Sequence, residues 1–152
     1  MGCTSAKQHK STCELKSQIQ NELLTKSQRI NQIIAAVQKL AIKIQNIYAT
    51  LIIQNNQIPA DFACLEPVLF LKAIKENQLL SSEEIEQVQF KFRSIFLKMR
   101  ILIDEISFIL FYDNQTNIIP KQKKFILFEI IMLYDTTSVK FFEYCQSTSI
   151  KL

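Results

Sequence analysis

The sequence predicts an all-α protein, a four-helix-type bundle with a flexible, acylated N-terminal tail. Two long stretches repeat apolar residues at alternating spacings of three and four, which is the period of a helix that buries one side. The chain has 152 residues, of which 48% are hydrophobic and 21% charged, so it can bury one compact core. We expect a tail over 1–13, a helical domain over 14–146 and a frayed end over 147–152.

The first four residues, Met1–Thr4, predict fatty acylation. Once the initiator Met is removed, Gly2 offers the amine that N-myristoylation requires, and Cys3 offers a thiol for palmitate. Gly2 is the one glycine of the chain, and the pattern departs from the usual motif at Ala6, where Ser or Thr is common. Met1–Thr4 resembles the acylated N-termini of inhibitory G-protein alpha subunits. That resemblance implies only the modification, because no guanine-nucleotide motif follows.

Charge near the N-terminus supports the same interpretation. A single myristoyl chain holds a protein only marginally, so stable anchoring takes a second signal. Basic residues close to an anionic leaflet add about 1 kcal/mol each. Residues 1–29 contain five basic and two acidic side chains, so +3 of the formal net charge of +4 lies beside the predicted anchor. The basic residues expected to touch the membrane surface are Lys7, Lys10 and Lys16.

The four cysteines have neither metal-binding nor redox spacing; they are Cys3, Cys13, Cys64 and Cys145. We expect free thiols in a reducing compartment, with Cys13 a further candidate for acylation. No apolar run reaches the roughly 18 to 20 residues of a spanning helix. We therefore expect the protein to lie on the cytoplasmic face of a membrane through its lipids, without crossing it.

The first helix is predicted to begin at Ser11 or Thr12, either of which can cap it. Its polar part, 14–32, is expected to form an exposed stalk. A regular seam then follows, and the helix should end near 54–57, before Pro59. The seam residues are Ile30, Ile33, Val37, Leu40, Ile44, Ile47 and Leu51.

A short second helix is predicted over 67–79, opened by Pro67, with a turn over 60–64 before it. The third helix begins at a capping box, since Ser81 precedes Glu84 by three residues directly before an apolar repeat. The seam of this helix comprises Ile85, Val88, Phe92, Ile95, Met99, Leu102, Ile106 and Ile109.

The third helix also has a second apolar set on its opposite side: Phe90, Leu97, Ile101, Phe108 and Phe111. Such a helix either lies in the middle of a bundle or presents a face to a partner, and we favour burial.

Residues 113–117 are predicted to form a loop, and Pro120 opens the last element. The segment 125–134 is apolar almost all round, so it is either a buried helix or one strand of a hairpin. We favour the helix, because a lone hairpin is marginally stable and no other strand is predicted.

Composition argues against an enzyme. The one histidine, His9, lies in the predicted tail, and without an internal glycine the chain has no phosphate-binding loop. We predict no catalytic residue, no metal ligand and no cofactor, and the charge is too small and too localised to indicate nucleic-acid binding.

The predicted function is that of a lipid-anchored adaptor, or a subunit of a membrane-bound assembly, with an unidentified protein partner and a possible homo-oligomer. Two alternatives remain open. The third helix and the segment 125–134 could enclose a cavity for a lipid or other hydrophobic ligand, or the chain could be a regulatory domain of a membrane signalling cascade.

Overall fold

The structure, a computed structural model, describes the backbone over 2–116 and 118–150 and the side chains over 26–113 and 118–148. All of its regular elements are helical: α1 (Gly2–Gln54), a 3₁₀ turn (Ala60–Cys64), α2 (Pro67–Glu76), α3 (Ser82–Thr116) and α4 (Lys121–Ile150). No strand occurs in the described backbone. The all-α class and the four packed helices are therefore confirmed, and the hairpin alternative for 125–134 is wrong.

The central element is α3, which packs against α1, α2 and α4. Tyr48 of α1 contacts Phe92 of α3, with ring centroids 5.7 Å apart. Further along, both guanidinium nitrogens Nε and Nη2 of Arg29 donate to the carboxylate of Glu105 at 2.6 Å. Since residue numbers rise in one helix while they fall in the other, α1 and α3 are antiparallel.

The same test orients α4. Phe96 of α3 lies against Phe141 of α4, with ring centroids 4.9 Å apart. Near the other end of the pair, the Lys124 ammonium is 2.8 Å from the Asp113 carboxylate. Hence α3 and α4 are also antiparallel, and α1 and α4 both run against the central helix.

Both predicted seams face the core. In α1 the first five seam residues are buried, and Ile47 and Leu51 are partly buried against them. In α3, the three seam residues that are only partly buried are Ile85, Leu102 and Ile109. Burying one apolar stripe per helix is what the alternating spacing predicts.

Two helix ends lie outside the predicted bounds. The first helix begins at Gly2, not at Ser11 or Thr12, because neither glycine nor proline interrupts the chain from Cys3 to Gln54. At the other end of the chain, α4 continues to Ile150. The flexibility of 1–13 and the fraying of 147–152 stay predictions.

The second helix ends earlier than predicted, at Glu76 and not near residue 79. Gln78 adopts a left-handed backbone conformation, with φ of 52°, and its N–H donates to the Lys75 carbonyl at 3.2 Å. The Leu79 N–H donates to the Ile74 carbonyl at 3.1 Å. This is a Schellman ending, formed here without the glycine that usually occupies the left-handed position.

The predicted capping box at the start of α3 is confirmed. The Glu84 N–H donates to Ser81 Oγ at 3.2 Å, and the Ser81 N–H donates to Glu84 Oε1 at 3.3 Å. Two backbone donors that no helical carbonyl can reach are satisfied in this way.

The core has two parts, one at each end of the helices. At the aromatic end, rings from all four helices pack together with aliphatic neighbours; these rings are Tyr48, Phe70, Phe92, Phe96 and Phe141. At the aliphatic end, α1, α3 and α4 bury a smaller set, comprising Ile30, Ile33, Val37, Ile106, Leu110 and Leu127.

Candidate functional site

The second apolar set of α3 lies on the surface. Its five side chains are between 47% and 72% exposed, so the prediction that this set is buried is wrong. The second apolar set stays exposed because no described helix packs over it. The helices α1 and α4 both pack on one half of α3, and α2 has only ten residues, so no described helix covers the opposite half.

The last helix shows the same arrangement. Leu127 and Phe141 are fully buried, whereas the opposite side of α4 exposes Phe125, Phe128, Met132 and Val139. The expectation of a helix buried all round is therefore wrong for this side. The exposed apolar side chains of α3 and of 125–134 also lie on an open surface, where the lipid-carrier alternative places an enclosed cavity.

The two exposed sets face the same way. On α3, Phe96 faces α4 and Glu105 faces α1, and the exposed set lies between these two sides, turned away from the core. On α4, the exposed set lies next to Lys124, which faces α3. Together, apart from Phe90 near the start of α3, they form one surface, the outer face, which comprises Leu97, Ile101, Phe108, Phe111, Phe125, Phe128, Met132 and Val139.

Charges of both signs lie within the outer face. Asp104 falls three residues after Ile101 and Arg100 three after Leu97, so both share its side of α3. Asp135 falls three residues after Met132 and shares the corresponding side of α4. All three charged residues are exposed. The outer face thus lacks the excess of basic residues that characterises a surface for an anionic bilayer.

The predicted anchor residues lie in the first part of α1. The backbone of Gly2, Cys3, Lys7, Lys10 and Lys16 is helical, and their side chains are outside the described part of the chain. Along a helix that rises about 1.5 Å per residue, Gly2 is about 36 Å from the first described side chain of α1.

A polar site closes the aliphatic end, where the sequence predicts a loop from residue 113. Asp113 is instead a buried residue of α3, and its Oδ1 accepts the Ile118 N–H at 2.8 Å and the Ile119 N–H at 2.9 Å. Its Oδ2 forms the ion pair with Lys124. The sequence signal for this site is an Asp a few residues before an X-Pro turn. Its carboxylate can accept hydrogen bonds from the backbone N–H groups that follow it.

The pKa of Asp113 reflects that environment. Burial by itself raises the pKa of the carboxyl group, because the charged form loses its hydration. The Lys124 ammonium and the two backbone N–H groups outweigh burial, so the pKa of Asp113 is lowered overall. The carboxylate is therefore the charged partner that holds the α3–α4 connection at neutral pH.

A cleft of about 600 Å³ opens beside Asp113, between α1, the end of α3 and the connection to α4. Its walls are mostly apolar, formed chiefly by Ile30, Phe108, Ile109, Tyr112, Ile118 and Ile119. Lys26, Ser27 and Lys123 contribute its polar edge, and Asp113, whose carboxylate is paired with Lys124, also lines it. Sequence analysis missed this cleft, because its walls come from three separate segments.

Other chemistry is sparse in the part of the chain with described side chains. It contains no group of three or more side chains that could hold a metal ion. Cys64 is a free thiol, and Cys145 Sγ accepts from Gln89 Nε2 at 3.2 Å. His9 lies outside this part. None of the helices searched, over the described residues, is long and apolar enough to cross a membrane.

Comparisons with protein-family models, with curated proteins and with solved structures found no match to this chain. The proposals below therefore rest on its own residues, namely the N-terminal motif, the outer face and the cleft.

Proposed function

We propose that this chain is a non-enzymatic, lipid-anchored peripheral membrane protein, acting as a helical adaptor or as a subunit of a membrane-bound assembly. Myristate on Gly2 and palmitate on Cys3 anchor it to the cytoplasmic face, with Lys7, Lys10 and Lys16 against the lipid head groups. The sequence supports the anchor, and the exposed outer face supports the binding of a partner.

The size of the outer face is the main observation behind the adaptor role. A fully buried aromatic side chain contributes about 150–250 Å². Eight large apolar side chains, most of them roughly half exposed or more, thus present on the order of 800 Å². That is about the area that each partner buries in a standard protein interface, and more than the apolar patches of a typical monomer.

The proposed occupant is an amphipathic helix of a partner protein, lying in the furrow between α3 and α4. The exposed stripes of α3 and α4, helices of 35 and 30 residues, run side by side, and two packed helical cylinders leave a furrow along their line of contact. An apolar helix face fits such a furrow with its polar side outward. Arg100, Asp104 and Asp135 favour a protein over a bilayer, since charges of both signs can pair with a protein. Anchoring then raises the local concentration of the bound partner.

Metabolic labelling with clickable myristate and palmitate analogues tests the anchor. We expect Gly2→Ala to lose both labels and to leave the membrane fraction, because palmitoylation needs prior membrane contact. Cys3→Ser should keep myristate and bind membranes more weakly, as expected for one chain. A Gly2→Ala protein that stays membrane-bound would contradict the anchor.

Site-specific photo-crosslinking tests the outer face. A photoreactive amino acid at Ile101 should form an adduct with one partner protein, and Phe128→Asp on the same face should abolish that adduct. The matched control position is Ile42 on α1, which is exposed at 58% and lies outside the outer face. Equal adducts from both positions, or lipid adducts alone, would refute the docking proposal.

The identity of the crosslinked species also distinguishes a partner from a second copy. Adducts of twice the chain mass, together with a dimer in light scattering of the Gly2→Ala, Cys3→Ser protein, would reassign the outer face to a homo-oligomer. A monomer in light scattering and an adduct of another mass would support the partner helix.

A further inference from the structure

We propose that the cleft beside Asp113 binds a single-chain amphiphile with an anionic head group, such as a free fatty acid. This inference goes beyond the proposed function and does not depend on the acyl anchor.

The walls of the cleft suit a hydrocarbon chain. Ile30, almost fully buried, forms its floor, and Ile109 and Ile119 are partly buried beside it. Phe108 and Tyr112, whose ring centroids are 4.7 Å apart, extend an apolar wall toward solvent. Filling the cleft with methylene groups would cover these side chains, which is the usual driving force for such sites.

The edge of the cleft suits an anion. Lys26 comes from α1 and Lys123 from α4, and the Lys123 ammonium donates to Ser27 Oγ at 3.5 Å. Within the part of the chain with described side chains, neither lysine has a carboxylate at ion-pair distance. The adjacent Lys124 differs, because its ammonium pairs with Asp113. One lysine thus stabilises the fold, while two others are placed to meet a negatively charged head group.

The dimensions of the cleft favour a single hydrocarbon chain over a peptide helix as its occupant. Two turns of helix about 10 Å across occupy roughly 850 Å³, more than the cleft provides. A cleft of about 600 Å³ falls within the usual range for small-molecule sites, about 300–1,000 Å³. Ile118 and Ile119, in the connection between α3 and α4, also line the cleft and close one of its ends. A helix passing through the cleft would need that end to be open.

A fluorescence titration tests the cleft in the full chain with Gly2→Ala and Cys3→Ser, so that no attached acyl chain competes. The probe is dansyl-undecanoic acid, displaced by palmitate. We expect saturable binding in which the double variant Lys26→Glu, Lys123→Glu weakens the probe at least tenfold. Hexadecanol, which lacks the charge, should displace the probe poorly from the parent protein.

A matched pair of aromatic variants locates the site. Phe108 and Phe90 are both exposed phenylalanines of α3, but only Phe108 lines the cleft. We expect Phe108→Asp to abolish saturable binding and Phe90→Asp to leave it unchanged, with equal helix content by circular dichroism. Equal loss in both variants, no saturable binding in the parent, or equal displacement by hexadecanol would overturn the proposal. Ile118→Asp gives an independent check, because a negative charge within the apolar wall of the cleft should repel the anionic head group and also abolish binding.

Discussion

The aromatic end and the aliphatic end of the core are closed by different kinds of contact. At the aromatic end, α2 supplies Phe70, which lies 4.4 Å from Tyr48 and 6.4 Å from Phe92 between ring centroids. At the aliphatic end no fourth helix is present among the described elements, and the buried carboxylate of Asp113 fixes the connection instead. The cleft opens at this second end.

This contrast indicates which end can bind a ligand. An end closed by packed rings has little freedom to admit one, because interiors are packed as densely as organic crystals. An end closed by hydrogen bonds and one ion pair needs fewer apolar contacts, so it can keep a cavity. We therefore expect substitutions at the aromatic end to affect stability alone, and those at the aliphatic end to affect both stability and ligand binding.

The largest expected effect is that of Phe92→Ala at the aromatic end. Phe92 is fully buried and contacts Tyr48, Phe70 and Phe141. Removing its ring leaves a cavity, so the free energy of unfolding should fall by about 3–5 kcal/mol. Urea denaturation would measure the loss. The control is Phe90→Ala on the same helix, 72% exposed, which should change stability by less than about 0.5 kcal/mol.

The next effect is that of Asp113→Ala at the aliphatic end. The substitution leaves the Lys124 ammonium and two backbone N–H groups without their acceptor, so the free energy of unfolding should fall by about 2–4 kcal/mol. The same urea denaturation measures it. A loss as small as that of Phe90→Ala would show that the polar network does not close this end.

Acid should reproduce part of the Asp113 effect. The pKa of Asp113 is lower in the folded protein than in the unfolded chain, so the folded state binds fewer protons. Its contribution to stability is therefore complete above the unfolded value, about 4, and is lost as pH falls through the folded pKa. In urea melts at a series of pH values, Asp113→Asn should lack this part of the acid dependence. Identical pH profiles for the two proteins would contradict the assignment.

The smallest effect, with the opposite sign, is expected for Tyr48→Phe. Tyr48 is buried, and its hydroxyl has no hydrogen-bond partner among the described residues. Burial, and then the charge of Glu66, raise the pKa of this phenol, so it stays neutral. Losing an unsatisfied hydroxyl should leave stability unchanged or raise it by up to about 1 kcal/mol. The control is Tyr112→Phe, at an exposed site, where we expect no change; a clear loss at Tyr48 would indicate a bound water.

Local patterns in the sequence were reliable where one helix face decides the outcome. The spacing from Ile30 to Leu51 predicts the buried stripe of α1, and Ser81 with Glu84 predicts the start of α3. These features depend on residues three or four positions apart, which a helix brings together whatever the rest of the chain does. The N-terminal motif is equally local, so Gly2 and Cys3 stay predictions that need a chemical test.

Both α3 and α4 have two apolar sides, and which side of each helix is covered depends on contacts between distant segments. Phe90 and Phe92 are the same residue type two positions apart on one helix, yet the first is 72% exposed and the second is fully buried. Burial of either side depends on how many neighbouring helices are available and on how far each one reaches. Local spacing thus accounts for the helices and their seams, whereas the packing of α1, α2 and α4 around one half of α3 created the outer face, the burial of Asp113 and the cleft.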